Sequence, residues 1–131
     1  MAPTEIYKHK ELTGAIIGCA MEVHSAVGLG FPEVVYQRCL AIELQHRGLP
    51  FEREADLPLY YRGEKVGSRR ADFLVAGAVL IELKAKSEII PLHHAQVLNY
   101  LNAYQLEVAL LLNFGEARLQ YKRFVNSPKP Q

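Results

Sequence analysis

Apolar residues recur at helical spacing from Glu11 to about Val27: Leu12, Ala15, Ile16, Cys19, Ala20, Val23 and Val27. Positions three and four apart share one side of a helix, so this run predicts a helix with a buried stripe. Gly14 and Gly18 lower its intrinsic propensity, and their bare backbones suit close approach by another chain segment. Gly28-Leu29-Gly30 ends it. A second helix begins near Pro32, whose fixed φ suits a first turn. It carries Val35, Cys39, Leu40, Ile42 and Leu44 and stops at Arg47-Gly48, a basic last turn followed by a glycine cap.

The period then changes to two. Pro50 to Tyr61 reads as a strand with Phe51, Ala55, Leu57, Leu59 and Tyr61 alternating. Arg62-Gly63-Glu64-Lys65 is a turn, and Val66 begins a short return toward Arg69-Arg70. Two apolar runs come next, 70–75 and 79–85, joined by Ala76-Gly77-Ala78. Both are apolar on both faces, the pattern of strands covered by helices on each side. Lys86 to Ile90 connects them to a third helix, opened by Pro91 and reaching about Tyr104, with Leu92, Ala95, Leu98 and Leu101 inward. Val108 to Phe114 is a strongly apolar strand, Gly115 turns it, and Leu119 to Val125 alternates as a last strand. The polar segment 1–10 is expected to be flexible and the proline-rich tail 127–131 disordered, leaving one domain over 11–126. The order α-α-β-β-β-α-β-β predicts an α/β fold, a mixed sheet flanked by helices.

Composition narrows the class. A chain of 131 residues, 50% hydrophobic and 22% charged, suits one globular core. A net charge of +1 lacks the basic excess of a general nucleic-acid binder, which leaves room only for a local basic groove. Cys19 and Cys39 fall in helical patterns and are expected as buried free thiols rather than a disulfide or an iron–sulfur site. No run has the length and apolarity of a membrane span, and the N-terminus lacks a signal-peptide pattern. A soluble cytoplasmic protein is the expectation.

Candidate chemistry sits inside the strands. Asp72, Glu82 and Lys84 interrupt the two apolar runs, and buried charge is costly unless paired. Across a three-residue connection Val75 faces Val79 and Asp72 faces Glu82, and Lys84 shares the face of Glu82. Opposed like charges destabilise a sheet. A divalent cation between them reverses that sign, since carboxylate oxygens are the ligands Mg²⁺ prefers. A one-residue bulge would instead move Asp72 to the other face. The competing reading is an ion pair of Lys84 with either acid, closing the sheet. His24, His93 and His94 lack the spacing of a zinc site; helix packing or capping is expected of His24, whereas His93, one turn before Gln96, borders the cleft. Arg69-Arg70 either grips phosphates, with Arg70 the candidate, or is a solvated strand start. Tyr60 and Tyr61 either pack across strands or stack on bases. Lys122-Arg123 reads as a solvated edge.

Several segments together resemble a known family. They are Glu22-Val23-His24, Gly30-Phe31-Pro32-Glu33-Val34-Val35-Tyr36, Arg70-Ala71-Asp72, Ile81-Glu82-Leu83-Lys84, and His93 through Leu101. Their order resembles the PD-(D/E)XK nuclease superfamily, and more closely the group called GxxExxY proteins, with Ala71 in place of the superfamily's proline. The resemblance implies a restriction-endonuclease-like fold and a metal-dependent deoxyribonuclease. It makes Asp72 and Glu82 ligands of Mg²⁺ or Mn²⁺ and Glu33 a third acid. Lys84 would position and activate the attacking water. Gln96 and Tyr100 are similar to a Gln-x-x-x-Tyr motif of exonuclease-like members. The implied catalytic set is Asp72, Glu82, Lys84 and Gln96, with Arg70, Tyr100 and His93 binding substrate. DNA is the implied partner, and a homodimer would suit the two strands of a duplex. On the residues alone, Glu33 is a first-turn acid favoured by the helix dipole, Tyr36 is core packing, and Gln96 makes either a structural hydrogen bond or a site contact. The alternative function is a catalytically silent nucleic-acid or protein interaction module with the same fold.

Overall fold

The computed structural model describes residues 9–126. The segments 1–8 and 127–131, where flexibility and disorder are expected, lie outside the described residues. Lys10 already belongs to the first helix. The elements are α1 (Lys10–Val27), α2 (Glu33–His46), β1 (Phe51–Tyr61), β2 (Glu64–Val75), β3 (Val79–Lys84), α3 (Pro91–Ala103), β4 (Val108–Asn113) and β5 (Gln120–Val125). This is the expected order. One detail differs: the return after the turn and the first apolar run form a single strand, β2.

The sheet runs β1-β2-β3-β4-β5. Only β3 and β4 are parallel, because a parallel pair needs a crossover and α3 supplies it. Two apolar layers sandwich the sheet. On one face Ile16, Cys19 and Val23 of α1 and Tyr36, Leu40 and Leu44 of α2 pack on Phe73, Val75, Ile81, Leu83, Leu110 and Leu112. On the other, Val97 and Leu101 of α3 pack on Ala71, Leu80, Ala109, Leu111 and Phe124. β3 and β4 are therefore covered twice, and all six residues of β4 are buried. That is why their sequences show unbroken apolar runs rather than alternation.

Two local features position the acids. The first is the turn before α2. Tyr36 stacks on Phe114 with centroids 4.9 Å apart. Its hydroxyl donates to Gly28 O at 2.6 Å and accepts from Phe31 N–H at 3.4 Å. Gly28 and Gly30 have φ of 77° and 97°, a region L side chains avoid. The tyrosine thus ties down the turn that launches α2 with Glu33 in its first residue. Gly14 and Gly18 do not admit another backbone. A Cβ on Gly14 would meet nothing within 4 Å, and one on Gly18 would meet the Arg47 guanidinium at 3.4 Å. The close backbone approach is at Gly115, where a Cβ would collide with Lys86 N and O.

The second feature is a break in strand alternation. β1 and β2 pair along nearly their whole length. β2 and β3 pair only from Phe73↔Ile81 to Val75↔Val79. Phe73 packs in the α1/α2 layer while Ala71, two residues earlier, packs in the α3 layer. Residues two apart in a regular strand share a face, so the strand turns over at Asp72. β1 turns with it: Phe51 packs in the first layer and Leu57 in the second. The residue of β1 at the break is Glu54, flanked by the pairs Arg53↔Phe73 and Ala55↔Ala71, and its φ is 55°.

Candidate active site

Asp72 sits where the β2–β3 ladder opens. Its carboxylate accepts the Leu83 N–H at 2.8 Å on Oδ2 and Gln37 Nε2 at 2.8 Å on Oδ1. Gln37 is buried on α2 and comes four residues after Glu33, so the two share a helix face. Glu33 accordingly stands in the field of Asp72. Burial, then the Asp72 charge, pushes its carboxyl above the ordinary carboxylate range, while Lys84, Lys86 and Arg69 oppose that rise.

Glu82 lies on the α3 side of β3 and is only 2% exposed. Arg69 reaches it from β2: Nη2 donates to Oε2 at 3.0 Å. The guanidinium also lies over the Tyr100 ring, 4.6 Å from its centroid. Arg69 faces α3 because it pairs with Leu57 beyond the alternation break. Burial pushes the Glu82 carboxyl up to about 7. The Asp72 charge adds to the rise, and Arg69 and Lys84 work against it. Oε1 of Glu82, Nε of Arg69 and Oε1 of Gln37 are buried without a hydrogen-bond partner among the described residues. Buried polar groups without a protein partner are uncommon; each is met by a water or an ion, stores strain or serves a function.

Lys84 ends β3. Its carbonyl accepts Phe114 N–H at 2.8 Å. Past it, buried Asn113 clasps Lys86 by accepting its N–H and donating to its carbonyl, each at 2.9 Å. Asn113 Nδ2 also donates to Glu116 Oε2 at 2.8 Å. The end of β4 therefore fixes the segment 84–86. The Lys84 charge opposes the rise of the Glu33 and Glu82 carboxyls and adds to the lowering at His93.

The other expected residues are placed unevenly. Gln96 and Tyr100 lie one turn apart on α3, both half-buried, with Tyr100 beneath Arg69. His93 serves the N-terminus of α3, where Nδ1 accepts the Ile90 N–H at 3.1 Å. Burial, then Lys84, Lys86 and His94, lowers its pKa. Arg70 is exposed and belongs to the opposite face from Arg69; it pairs with Glu54 at 4.0 Å. His24 packs near Phe114 and contacts Glu116 O at 2.8 Å, so it is a packing residue. Cys19 and Cys39 are free thiols, the first buried and the second partly so. Tyr60 and Tyr61 are 59% and 65% exposed, too open for cross-strand packing. Sequence reasoning missed Gln37 and did not foresee the contacts of Arg69 with Glu82 and Tyr100.

The donor set suits a hard divalent cation. Asp72, Glu82 and Glu33 offer only carboxylate oxygens, and one oxygen of Glu82 has no partner among the described residues. As the side chains stand, no three potential ligands are close enough to hold an ion among the described residues. Arg69 occupies Glu82, and Gln37 with the Leu83 amide occupies Asp72. A cleft of about 310 Å³ lined by Glu88, His94, Asn113, Glu116, Tyr121 and Lys122 contains none of these acids.

A sequence model of the PD-(D/E)XK nuclease superfamily matches residues 10–124. A solved structure titled "Crystal structure of SSO0001" is 18% identical to this chain with a TM-score of 0.54. The alignment covers 98% of this chain and 63% of that one, so this chain spans less than two thirds of that chain's length. At that identity the likeness is one of fold. No curated protein matches.

Proposed function

Since this chain belongs to the PD-(D/E)XK nuclease superfamily and has a mixed five-stranded sheet flanked by helices, consistent with a restriction-endonuclease-like fold, we propose that it is a metal-dependent nuclease that hydrolyses DNA phosphodiester bonds. The observation that carries this reading is the position of Asp72 at the opened end of β2 and β3, held by Gln37 from the helix that begins with Glu33, with its charge raising the carboxyl pKa of both Glu33 and Glu82 while Lys84 opposes both rises. The finer assignment to the GxxExxY group rests on Gly30, Glu33 and Tyr36, the last of which fixes the turn that presents Glu33.

Asp72 and Glu82 would hold Mg²⁺ or Mn²⁺, with Glu33 as the third acid. Bound there, such an ion supplies Lewis acidity and a water of lowered pKa. The chain's own groups do the rest. Lys84 donates a hydrogen bond to the attacking water or to a phosphate oxygen as negative charge builds. Gln96 and Tyr100 offer an amide and a hydroxyl along one face of α3 to orient the phosphate. His93 keeps Nε2 for substrate while Nδ1 caps the helix. Arg70, on the outer face of the ribbon, meets DNA only at a distance from the acids. Among the described residues no helix is long and apolar enough to cross a membrane.

The test is cleavage of plasmid and linear DNA with Mg²⁺ or Mn²⁺ against EDTA, together with light scattering to establish whether a homodimer forms. Metal-dependent cutting that disappears in folded Glu82→Ala and Lys84→Ala proteins is expected. Cutting that survives both substitutions overturns the assignment. A protein that binds DNA without cutting it would be the silent module, which the Arg69–Glu82 bond at 3.0 Å favours.

A further inference from the structure

Arg69 and Glu82 form a pair that is only half made. One Nη2–Oε2 bond of 3.0 Å joins them. Arg69 Nε and Glu82 Oε1 are both buried and both lack partners among the described residues. A fork-to-fork arrangement of guanidinium and carboxylate would use two parallel bonds, so these leftover groups mark a contact that has not closed. The partners also differ in their access to solvent. The Glu82 side chain is 3% exposed and the Arg69 side chain 37%. The acid cannot leave; the arginine can. If it left alone, a buried carboxylate would stand uncompensated, which is strongly unfavourable. While Glu82 is ionised, departure therefore requires a replacement cation. The Tyr100 ring, 4.6 Å from the guanidinium, offers the displaced cation a resting face.

We propose that Arg69 is a counter-ion to be exchanged: it neutralises Glu82 until a divalent cation takes that carboxylate, and the released guanidinium then grips a phosphate oxygen of the nucleic acid while remaining over Tyr100. Arg69 is thus a specificity-determining residue for phosphodiester binding and a competitor of the metal. The inference rests on the nuclease reading above and adds to it the order of events: metal first, phosphate second. Guanidinium suits this role because its flat array of donors matches phosphate as well as carboxylate. Arg70, although the more exposed of the two, cannot substitute, since alternation points it to the other face of the ribbon.

The experiment uses the whole chain at pH 8.5. First, the Nε resonance of Arg69 is tracked by ¹⁵N NMR in the unmodified protein as Mg²⁺ is added. It is expected to move toward the position of a solvent-exposed arginine. Second, Mn²⁺ affinity is read from the spin-resonance signal of free Mn²⁺ for the unmodified protein, Arg69→Gln and Arg69→Lys. Arg69→Gln is expected to bind Mn²⁺ about tenfold more tightly, because a competing cation has gone, with Arg69→Lys between. Its affinity for a short DNA duplex in Ca²⁺ is expected to fall about tenfold. An Arg69 resonance that stays put at saturating Mg²⁺ overturns the inference without reference to any variant. So does an Arg69→Gln protein that binds Mn²⁺ no more tightly than the unmodified one; if that unmodified protein still binds Mn²⁺ and cuts DNA, the nuclease reading survives. Failure of every protein to bind Mn²⁺ removes both.

Discussion

Replacing Glu82 by glutamine should change how stability depends on pH. Burial pushes the folded-state carboxyl from an ordinary 4.5 to about 7, with the Asp72 charge adding to it and Arg69 and Lys84 opposing. The folded protein therefore holds a proton on Glu82 over a range in which the unfolded chain has released it. Stability changes with pH in proportion to the protons bound unfolded minus those bound folded. That difference is negative between 4.5 and about 7, so stability falls as pH rises through this interval. The contribution is fully present below 4.5 and lost above about 7. At about 1.4 kcal/mol per pH unit, the loss amounts to about 3 kcal/mol.

Glutamine keeps the shape of the protonated acid and can still accept from Arg69 through its carbonyl oxygen, but it does not titrate. Urea unfolding of both proteins at pH 5, 6, 7 and 8 in EDTA isolates the effect, because other titrating groups cancel in the difference. The unmodified protein should lose about 2–3 kcal/mol relative to Glu82→Gln between pH 5 and pH 8. A difference that stays constant within about 0.5 kcal/mol would refute the reasoning. Glu82 would then be ionised in both states throughout, with Arg69 offsetting its burial in full.

The clasp at the end of β4 should matter more than its length suggests. Asn113→Ala removes both bonds to Lys86 and those to Gly115 and Glu116, and should cost about 2–4 kcal/mol in urea unfolding. Two glycine substitutions should have opposite signs. Gly115→Ala drives a Cβ into Lys86 backbone atoms and should cost at least about 2 kcal/mol. Gly14→Ala, in the interior of α1 with nothing within 4 Å of the new Cβ, should add about 0.5–1 kcal/mol and raise Tm.

The fold was legible because its signals are local and repeated. α1, α2 and α3 announce themselves by apolar spacing and by Gly28, Gly48 and Pro91 at their ends. β3 and β4 announce themselves as short runs buried on both faces, which is what a two-layer cover requires. The acids were legible for the opposite reason, since Asp72 and Glu82 are charges in strands that are otherwise apolar. What no local signal carried was the environment each acid would find. Gln37 looked like one more polar residue on a helix, and nothing in its own neighbourhood says that it donates to Asp72 from another layer.

The choice between Arg69 and Arg70 shows where strand reasoning stops. On strict alternation, Arg70 shares a face with Asp72, and Asp72 shares one with Glu82. The structure departs from strict alternation because β2 turns over at Asp72, opposite a Glu54 with φ of 55°. Glutamate is not a residue that announces a left-handed conformation, so the break is invisible in sequence. Its consequence is nonetheless specific. It opens the ladder at Asp72, lets that carboxylate take the Leu83 amide, and brings Arg69 rather than Arg70 to Glu82 and Tyr100. The same irregularity thus removes Asp72 from a regular cross-strand pair and supplies Glu82 with a cation. The strand that carries one acid thus also delivers the charge that offsets the burial of the other.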